Sequence, residues 1–251
     1  PFLLVLALRA ATGCDRALDA KSATNPATPQ RIGSDKGEYV LTEIARGLEF
    51  PWSLAFLPDG RMLVTERPGR LRVVGADGSI SAPVQGVPKV FAHNHGGLLD
   101  VVLSPQLKPD KLISLSFAEA DPADPPHAGT AVARGRLGGL KLGDVEVIYR
   151  QQPKLSTGHH FGSRLVFDDA GYLFITQGEN NQRPTAQDLD KLQGKLVRLH
   201  ADGRVPADNP FVGRADARPE IFSYGHRNMQ GAALNPQSRA LWTTEHGPRG
   251  G

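Results

Sequence analysis

Trp52-Ser-Leu-Ala-Phe56-Leu-Pro58-Asp59-Gly60-Arg-Met-Leu63-Val64-Thr65-Glu66 is an apolar strand, a Pro-Asp-Gly turn and a second apolar strand, the pattern of a β-hairpin. The same unit returns as Leu98-Leu-Asp-Val-Val-Leu103-Ser-Pro105 followed by Lys111-Leu-Ile113-Ser-Leu115-Ser. A third copy is Arg164-Leu-Val-Phe167-Asp-Asp169-Ala-Gly171-Tyr-Leu-Phe174-Ile-Thr, and a fourth is Gly231-Ala-Ala-Leu234-Asn-Pro236-Gln-Ser-Arg-Ala-Leu241-Trp242-Thr-Thr-Glu245. Aligning Phe56, Leu103, Phe167 and Leu234 gives spacings of 47, 64 and 67 residues. Sheets recurring at roughly 40 to 70 residues predict the blades of a β-propeller, each burying its faces against its neighbours. A β-sandwich also has many short strands, but it does not need one hairpin repeated four times. The only helical piece the periodicity allows is a short one at 187–192.

Between the repeats lie long polar segments, 119–129 and 179–190. Loops of about a dozen residues or more in a compact domain are usually functional or disordered. In a propeller they gather on one face around the central channel, which is where chemistry is expected.

The composition fits an ordinary globular protein. Of 251 residues, 39% are hydrophobic, while 28 glycines and 20 prolines make the chain rich in turns, as all-β proteins are. The 29 basic and 26 acidic side chains leave a formal charge of +3 with no Lys/Arg run, so nucleic acid is not an expected partner. The single cysteine excludes an intrachain disulfide framework and a cysteine zinc site. No apolar run approaches the ~18 residues that a membrane-spanning helix requires.

At the start, Phe2-Leu3-Leu4-Val5-Leu6-Ala7-Leu8 precedes Ala11-Thr12-Gly13-Cys14. Residues 1–14 therefore read as the apolar core and cleavage zone of an export signal, with a lipobox-like end that would lipidate Cys14. Both an ordinary signal peptide and a lipoprotein signal predict export to the periplasm, with membrane contact only through that lipid. Residues 15–37 have almost no large apolar side chains and read as a flexible linker. Residues 38–251 form the propeller domain, and the chain stops in the polar loop Glu245-His246-Gly247-Pro248-Arg249-Gly250-Gly251.

Six of the eight histidines sit in four polar clusters at strand or loop junctions: His93-Asn94-His95, His159-His160, Gly225-His226-Arg227-Asn228 and Glu245-His246-Gly247-Pro248. Three chemistries suit them. His-x-His and His-His can place imidazoles together around zinc or another transition metal. An imidazole can instead take a hydroxyl proton as general base while a guanidinium stabilises charge developing on an electron acceptor. The residue before Pro248 is held extended, and bare carbonyls on such a turn suit calcium. Spacing alone leaves all three open.

Leu155-Ser-Thr-Gly-His-His160-Phe-Gly-Ser-Arg-Leu, Gly194-Lys-Leu-Val-Arg-Leu199 with Asp202-Gly203 and Pro206-x-Asp208-Asn209-Pro210, Tyr224-Gly-His-Arg-Asn-Met-Gln-Gly231 and Glu245-His-Gly-Pro-Arg-Gly-Gly251 together resemble the glucose/sorbosone dehydrogenase family. Its members are soluble aldose sugar dehydrogenases that use pyrroloquinoline quinone (PQQ) and are built as six-bladed propellers. The resemblance runs from about Tyr39 to Gly251 and implies an all-β fold, with this chain covering roughly the first four blades. It implies that His160 is the base removing the proton from the sugar C1 hydroxyl as hydride passes to the quinone, giving a lactone. A neutral imidazole is available for this near neutral pH, since its reference pKa is about 6.5. It implies further that Arg227 and Asn228 bind the quinone oxygens, Arg227 stabilising the charge of reduction, and that the carbonyls of Gly247 and Pro248 hold Ca²⁺.

Two departures from the family pattern stand out. His95 occupies the active-site position where the family usually has Gln, before Gly96-Gly97-Leu98-Leu99-Asp100. The family also continues past the Gly-Pro loop, so an open sheet edge and little activity are expected of these 251 residues alone. The leading expectation is thus PQQ- and Ca²⁺-dependent aldose oxidation with an unidentified electron acceptor. The alternatives are a metal-dependent hydrolase of lactonase type, with His93, His95, His159 and His160 as ligands, and a non-catalytic propeller that only binds. Against the hydrolase stands the lack of an Asp or Glu immediately flanking these histidines.

Overall fold

The computed structural model describes residues 29–105, 111–155 and 158–249. The export signal expected at 1–14 and most of the linker expected at 15–37 lie outside the described residues. The rest of the linker is not coil: β1 (Gln30–Ser34) pairs with β2 (Gly37–Leu41), Ile32 facing Tyr39. All five residues of β1 are exposed, so this hairpin rests on its ladder bonds and carries none of the apolar alternation by which a half-buried strand announces itself.

Four antiparallel sheets then follow in chain order. The quoted hairpin is β3 (Pro51–Phe56) and β4 (Met62–Glu66), with Leu54 opposite Val64, and β5 (Arg70–Val74) completes the sheet. At its turn Gly60 has φ +87°, a left-handed value that glycine adopts without steric cost. The second sheet is β6 (Leu98–Leu103), β7 (Leu112–Ala120), β8 (Ala128–Gly138) and β9 (Lys141–Arg150). The third is β10 (Gly162–Phe167), β11 (Tyr172–Gln177), β12 (Lys195–His200) and β13 (Ile221–Tyr224), and the fourth is β14 (Met229–Leu234) with β15 (Leu241–Glu245).

Two local expectations are corrected. Glu119 pairs with Gly129 within the β7–β8 ladder, so the polar segment 119–129 shrinks to a loop over 121–127. The backbone there satisfies itself by pairing, whatever the side chains. The helical piece expected at 187–192 falls earlier, as one 3-10 turn at Arg183–Ala186 with a proline in its first positions. Leu189 and Leu192 are apolar because they pack into the core between the second and third sheets, which is what mimicked a helical period.

The sheets are arranged as propeller blades, because the first strand of each lies beside the first strand of the next. Asp100 on β6 marks the hub. It accepts hydrogen bonds from Ser53 Oγ on β3, from Arg164 Nη1 on β10 at 2.9 Å and from the Leu165 amide at 2.7 Å. Arg164 Nε in turn donates to the Gln230 carbonyl on β14 at 3.1 Å, and its guanidinium lies 4.4 Å from the Trp52 ring. Burial pushes the Asp100 carboxyl up from its ordinary value, opposed by Arg164, Ser53 and the amides of Leu165 and Val101. Between blades one and two the space is filled by Leu63, Leu71, Ile113 and Leu115, and between two and three by Val132, Leu165, Leu173 and Val197. Burying each such side chain stabilises the fold by about 1.5–3 kcal/mol.

Candidate functional site

At the hub one cavity of about 460 Å³ collects residues from all four blades: Trp52 and Arg67 from the first, His95 from the loop entering the second, His160 from the loop entering the third, and Arg227, Asn228, Gln230, His246 and Gly247 from the fourth. Five of the six residues expected at the site therefore share one space: His95, His160, Arg227, Asn228 and Gly247. Pro248, next in the chain, is exposed and is not among the lining residues.

His160 stands where the chain enters β10, with φ +48°, a conformation that a non-glycine residue holds only when its surroundings fix it. Those surroundings are specific. Its carbonyl accepts from both Asn180 N and Asn180 Nδ2 at 3.3 Å, and a Cβ at Gly178 would collide with that carbonyl. Its Nδ1 lies 2.7 Å from Glu179 Oε2, and both side chains are buried, at 9% and 2% exposure. The Asn181 amide also donates to Glu179 Oε2 at 3.1 Å. A carboxylate at Nδ1 fixes the proton on that nitrogen and leaves Nε2 with a free lone pair. Glu179 sits 19 residues after His160. The absence of a carboxylate beside the histidines is thus true of the sequence and untrue of the site. The one sequence signal was the polar run that opens at Glu179 directly after the third hairpin.

The opposite wall comes from the fourth blade. Asn228 is buried and its Oδ1 accepts from the Gly162 amide at 3.1 Å, tying the two walls together. The Arg227 carbonyl accepts from the Glu179 amide at 2.9 Å. Arg227 Nη1 donates to the His246 carbonyl at 2.8 Å, and its amide donates to Glu245 Oε2 at 2.9 Å. Arg227 Nε is buried with no partner among the described residues. Beside this wall burial lowers the pKa of His226, and Glu245 pulls it back up. Behind it the buried Lys195 donates to the carbonyls of Thr185, Ala186 and Gln193 at 2.9, 3.0 and 2.6 Å. Burial brings Lys195 down to about 8, with Asp188 and Asp190 acting in the other direction.

The cavity contains two guanidiniums, three imidazoles and no carboxylate in its lining. Arg67, which the sequence did not single out, reaches it from the turn after β4, with its guanidinium 5.4 Å from the Phe50 ring. His95 is held below the usual histidine range, first by burial and then by the nearby imidazoles of His159 and His160, the Arg67 guanidinium and the His246 imidazole. PQQ carries carboxylates and quinone oxygens. The unpartnered Arg227 Nε, the second guanidinium and an acid-free lining fit such a group. Of the two residues whose carbonyls are expected to hold calcium, Gly247 borders the cavity and Pro248 follows it in the chain, with no carboxylate in the lining. Nor do the histidines converge on a metal. His93 packs on Phe91 at 5.7 Å, the His95 and His159 rings meet edge to face at 4.7 Å, and no group of three or more His, Cys, Asp or Glu among the described residues is placed to hold an ion.

Successive antiparallel blades around a cationic cavity walled by histidines define a β-propeller with its site at the hub. The chain belongs to the glucose/sorbosone dehydrogenase family, whose model (Glucose / Sorbosone dehydrogenase) matches residues 48–251. It is 60% identical over 207 residues to an aldose sugar dehydrogenase of Escherichia coli, covering 81% of this chain and 55% of that protein. The crystal structure of the soluble aldose sugar dehydrogenase of E. coli in its apo form aligns with a TM-score of 0.80 at 58% identity, over 83% of this chain and 60% of that one. The PQQ-bound aldose sugar dehydrogenase of Streptomyces coelicolor aligns with a TM-score of 0.67 at 30% identity, over 81% and 58%. The chain spans about half the length of the curated relatives it matches. Among the described residues no helix is long and apolar enough to cross a membrane.

Proposed function

We propose that this protein oxidises the C1 hydroxyl of an aldose to the lactone with PQQ as the immediate electron acceptor, within a six-bladed ring, and passes the electrons to an acceptor still to be identified. The observation that carries this is the buried His160–Glu179 pair opening on the same cavity as Arg67 and Arg227. The E. coli and S. coelicolor relatives, described as aldose sugar dehydrogenases and one of them PQQ-bound, support it.

Bound PQQ would supply the hydride acceptor. Every other task falls to side chains. Glu179 accepts from His160 Nδ1, so Nε2 faces the ligand as a base and takes the hydroxyl proton; the carboxylate then stabilises the imidazolium that forms. Arg227, with one nitrogen tied to the His246 carbonyl and Nε free, binds oxygens of the quinone, and Arg67 adds positive charge from the first blade. Asn228, its Oδ1 engaged by the Gly162 amide, has its amide NH₂ to offer to a ligand oxygen. Calcium belongs to the proposal on the family resemblance, with Gly247 as the one expected ligand at the cavity. Periplasmic export, with a lipid on Cys14, rests on residues 1–14 alone.

The test is reconstitution. Full-length protein given PQQ and Ca²⁺ should reduce an artificial dye on addition of an aldose. His160→Ala should lower kcat by about 10²–10⁴-fold and leave PQQ affinity within a few-fold. Equal losses in both would make His160 a cofactor ligand, and activity that follows Zn²⁺ without PQQ would replace the proposal with the hydrolase.

A further inference from the structure

The second imidazole of the cavity is fixed by the first. The backbone amide of His160 donates to His95 Nδ1 at 3.4 Å. A ring nitrogen that accepts carries no proton, so a neutral His95 must keep its proton on Nε2. His160 is bound the other way round, with Nδ1 on Glu179 and Nε2 free. The two rings thus engage the protein in opposite senses through Nδ1, one accepting from a backbone amide and the other meeting a carboxylate, and they line one cavity with ring centroids 5.9 Å apart. The His159 ring, edge to face with His95 at 4.7 Å, limits rotation of His95 from its other side. His95 is also tied through its own amide, which donates to the Gly158 carbonyl at 3.0 Å.

We propose that His95 is a positioning residue for the reaction, accepting the His160 amide through Nδ1 to hold the base in its left-handed turn and presenting Nε2–H to the ligand oxygen beside that base. The proposal rests on the reading of His160 as the base and adds a directional donor to it. His160 has φ +48°, and its carbonyl is already held by Asn180. The bond to His95 is what holds the other end of the same residue. Arg67, His159, His160 and His246 are the charged or titratable groups acting on His95. All of them oppose a second positive charge there, so a neutral donor and not a cation meets the ligand.

Histidine-selective ¹⁵N labelling of the cofactor-free protein tests the geometry by itself. Two-bond ¹H–¹⁵N spectra near neutral pH should show His95 protonated on Nε2 and His160 protonated on Nδ1. His95→Ala should speed exchange of the His160 amide by about tenfold. His95→Asn, whose Oδ1 reaches the place of Nδ1, should restore the protection. His95 protonated on Nδ1, or a His160 amide indifferent to both substitutions, overturns the proposal. In the PQQ-loaded protein His95→Ala should lower kcat, and His95→Asn should recover only part of it, because Asn replaces the acceptor but not the Nε2–H donor. Full recovery would refute the donor role. Correct tautomers in a protein that never reduces dye would instead count against the aldose-oxidising function, so the two failures are distinguishable.

Discussion

The two walls of the cavity are built to different standards. On the third-blade wall the His160 and Glu179 side chains are only 9% and 2% exposed, and backbone amides and carbonyls grip both residues. On the fourth-blade wall Arg227 and Gly247 are half-buried, and Glu245 and His246 are exposed; each wall keeps one unpartnered buried atom, Glu179 Oε1 on the third and Arg227 Nε on the fourth. A group that must present one lone pair in one direction needs its tautomer fixed, and burial with a carboxylate does that. A group that must meet an incoming anion needs donors still free. On the proposed reading, the tighter wall holds the proton and the looser one meets the ligand.

Four substitutions press on that contrast, the largest effect first. Asp100→Ala removes the hub anion that both walls depend on and leaves Arg164 without its buried partner, so stability should fall by about 3–5 kcal/mol, read from denaturant unfolding. A loss under 1 kcal/mol would show that the blades hold together without the hub. Glu179→Gln touches only the third-blade wall. Its amide can donate to Nδ1 and favour the wrong tautomer, so kcat should drop by about 10²-fold with KM for the sugar little changed. A KM effect alone would move Glu179 from base support to substrate binding.

Glu66 serves as the comparison outside the cavity. Burial alone would raise its pKa, but hydrogen bonds from Arg70 and Arg72, both at 2.7 Å, and from the Glu49 amide outweigh it and hold the carboxyl below its ordinary 4.5. Because the folded-state value lies below the unfolded one, this stabilisation is complete above about pH 4.5 and is lost as pH falls through the depressed value. Glu66→Gln should cost about 2 kcal/mol at neutral pH and flatten the acid limb of a stability-against-pH curve. An unchanged acid limb refutes the assignment. Glu245→Gln should be the mildest, below 1 kcal/mol, because the carboxylate is solvent-exposed. A larger loss in thermal unfolding would mean that the fourth-blade wall is as rigid as the third.

The blades were legible because short apolar runs such as Leu54-Ala-Phe56 and Met62-Leu63-Val64, or Leu165-Val-Phe167 and Tyr172-Leu173-Phe174, flank Pro-Asp-Gly and Asp-Ala-Gly turns, and strands buried on both faces are joined by just such turns. His160, Arg227 and Asn228 were legible because the stretches that carry them are local. Glu179 and Arg67 were not. Glu179 reaches His160 only because Gly178 lets two backbones close together, and Arg67 meets the others only when the first blade curves round the hub. β1 escaped notice because an exposed ladder leaves no side-chain rhythm, and the 3-10 turn because core leucines imitated a helix three residues downstream.

The ammonium of Lys195, enclosed by three main-chain oxygens, behaves as a monovalent ion tethered by its own side chain. Where a loop is shaped by potassium recruited from solution, the ion can leave; here the sequence itself encodes the cation. The stretch running from Thr185 to Gln193, just downstream of Glu179, is thus pinned at three carbonyls by a cation that cannot diffuse away.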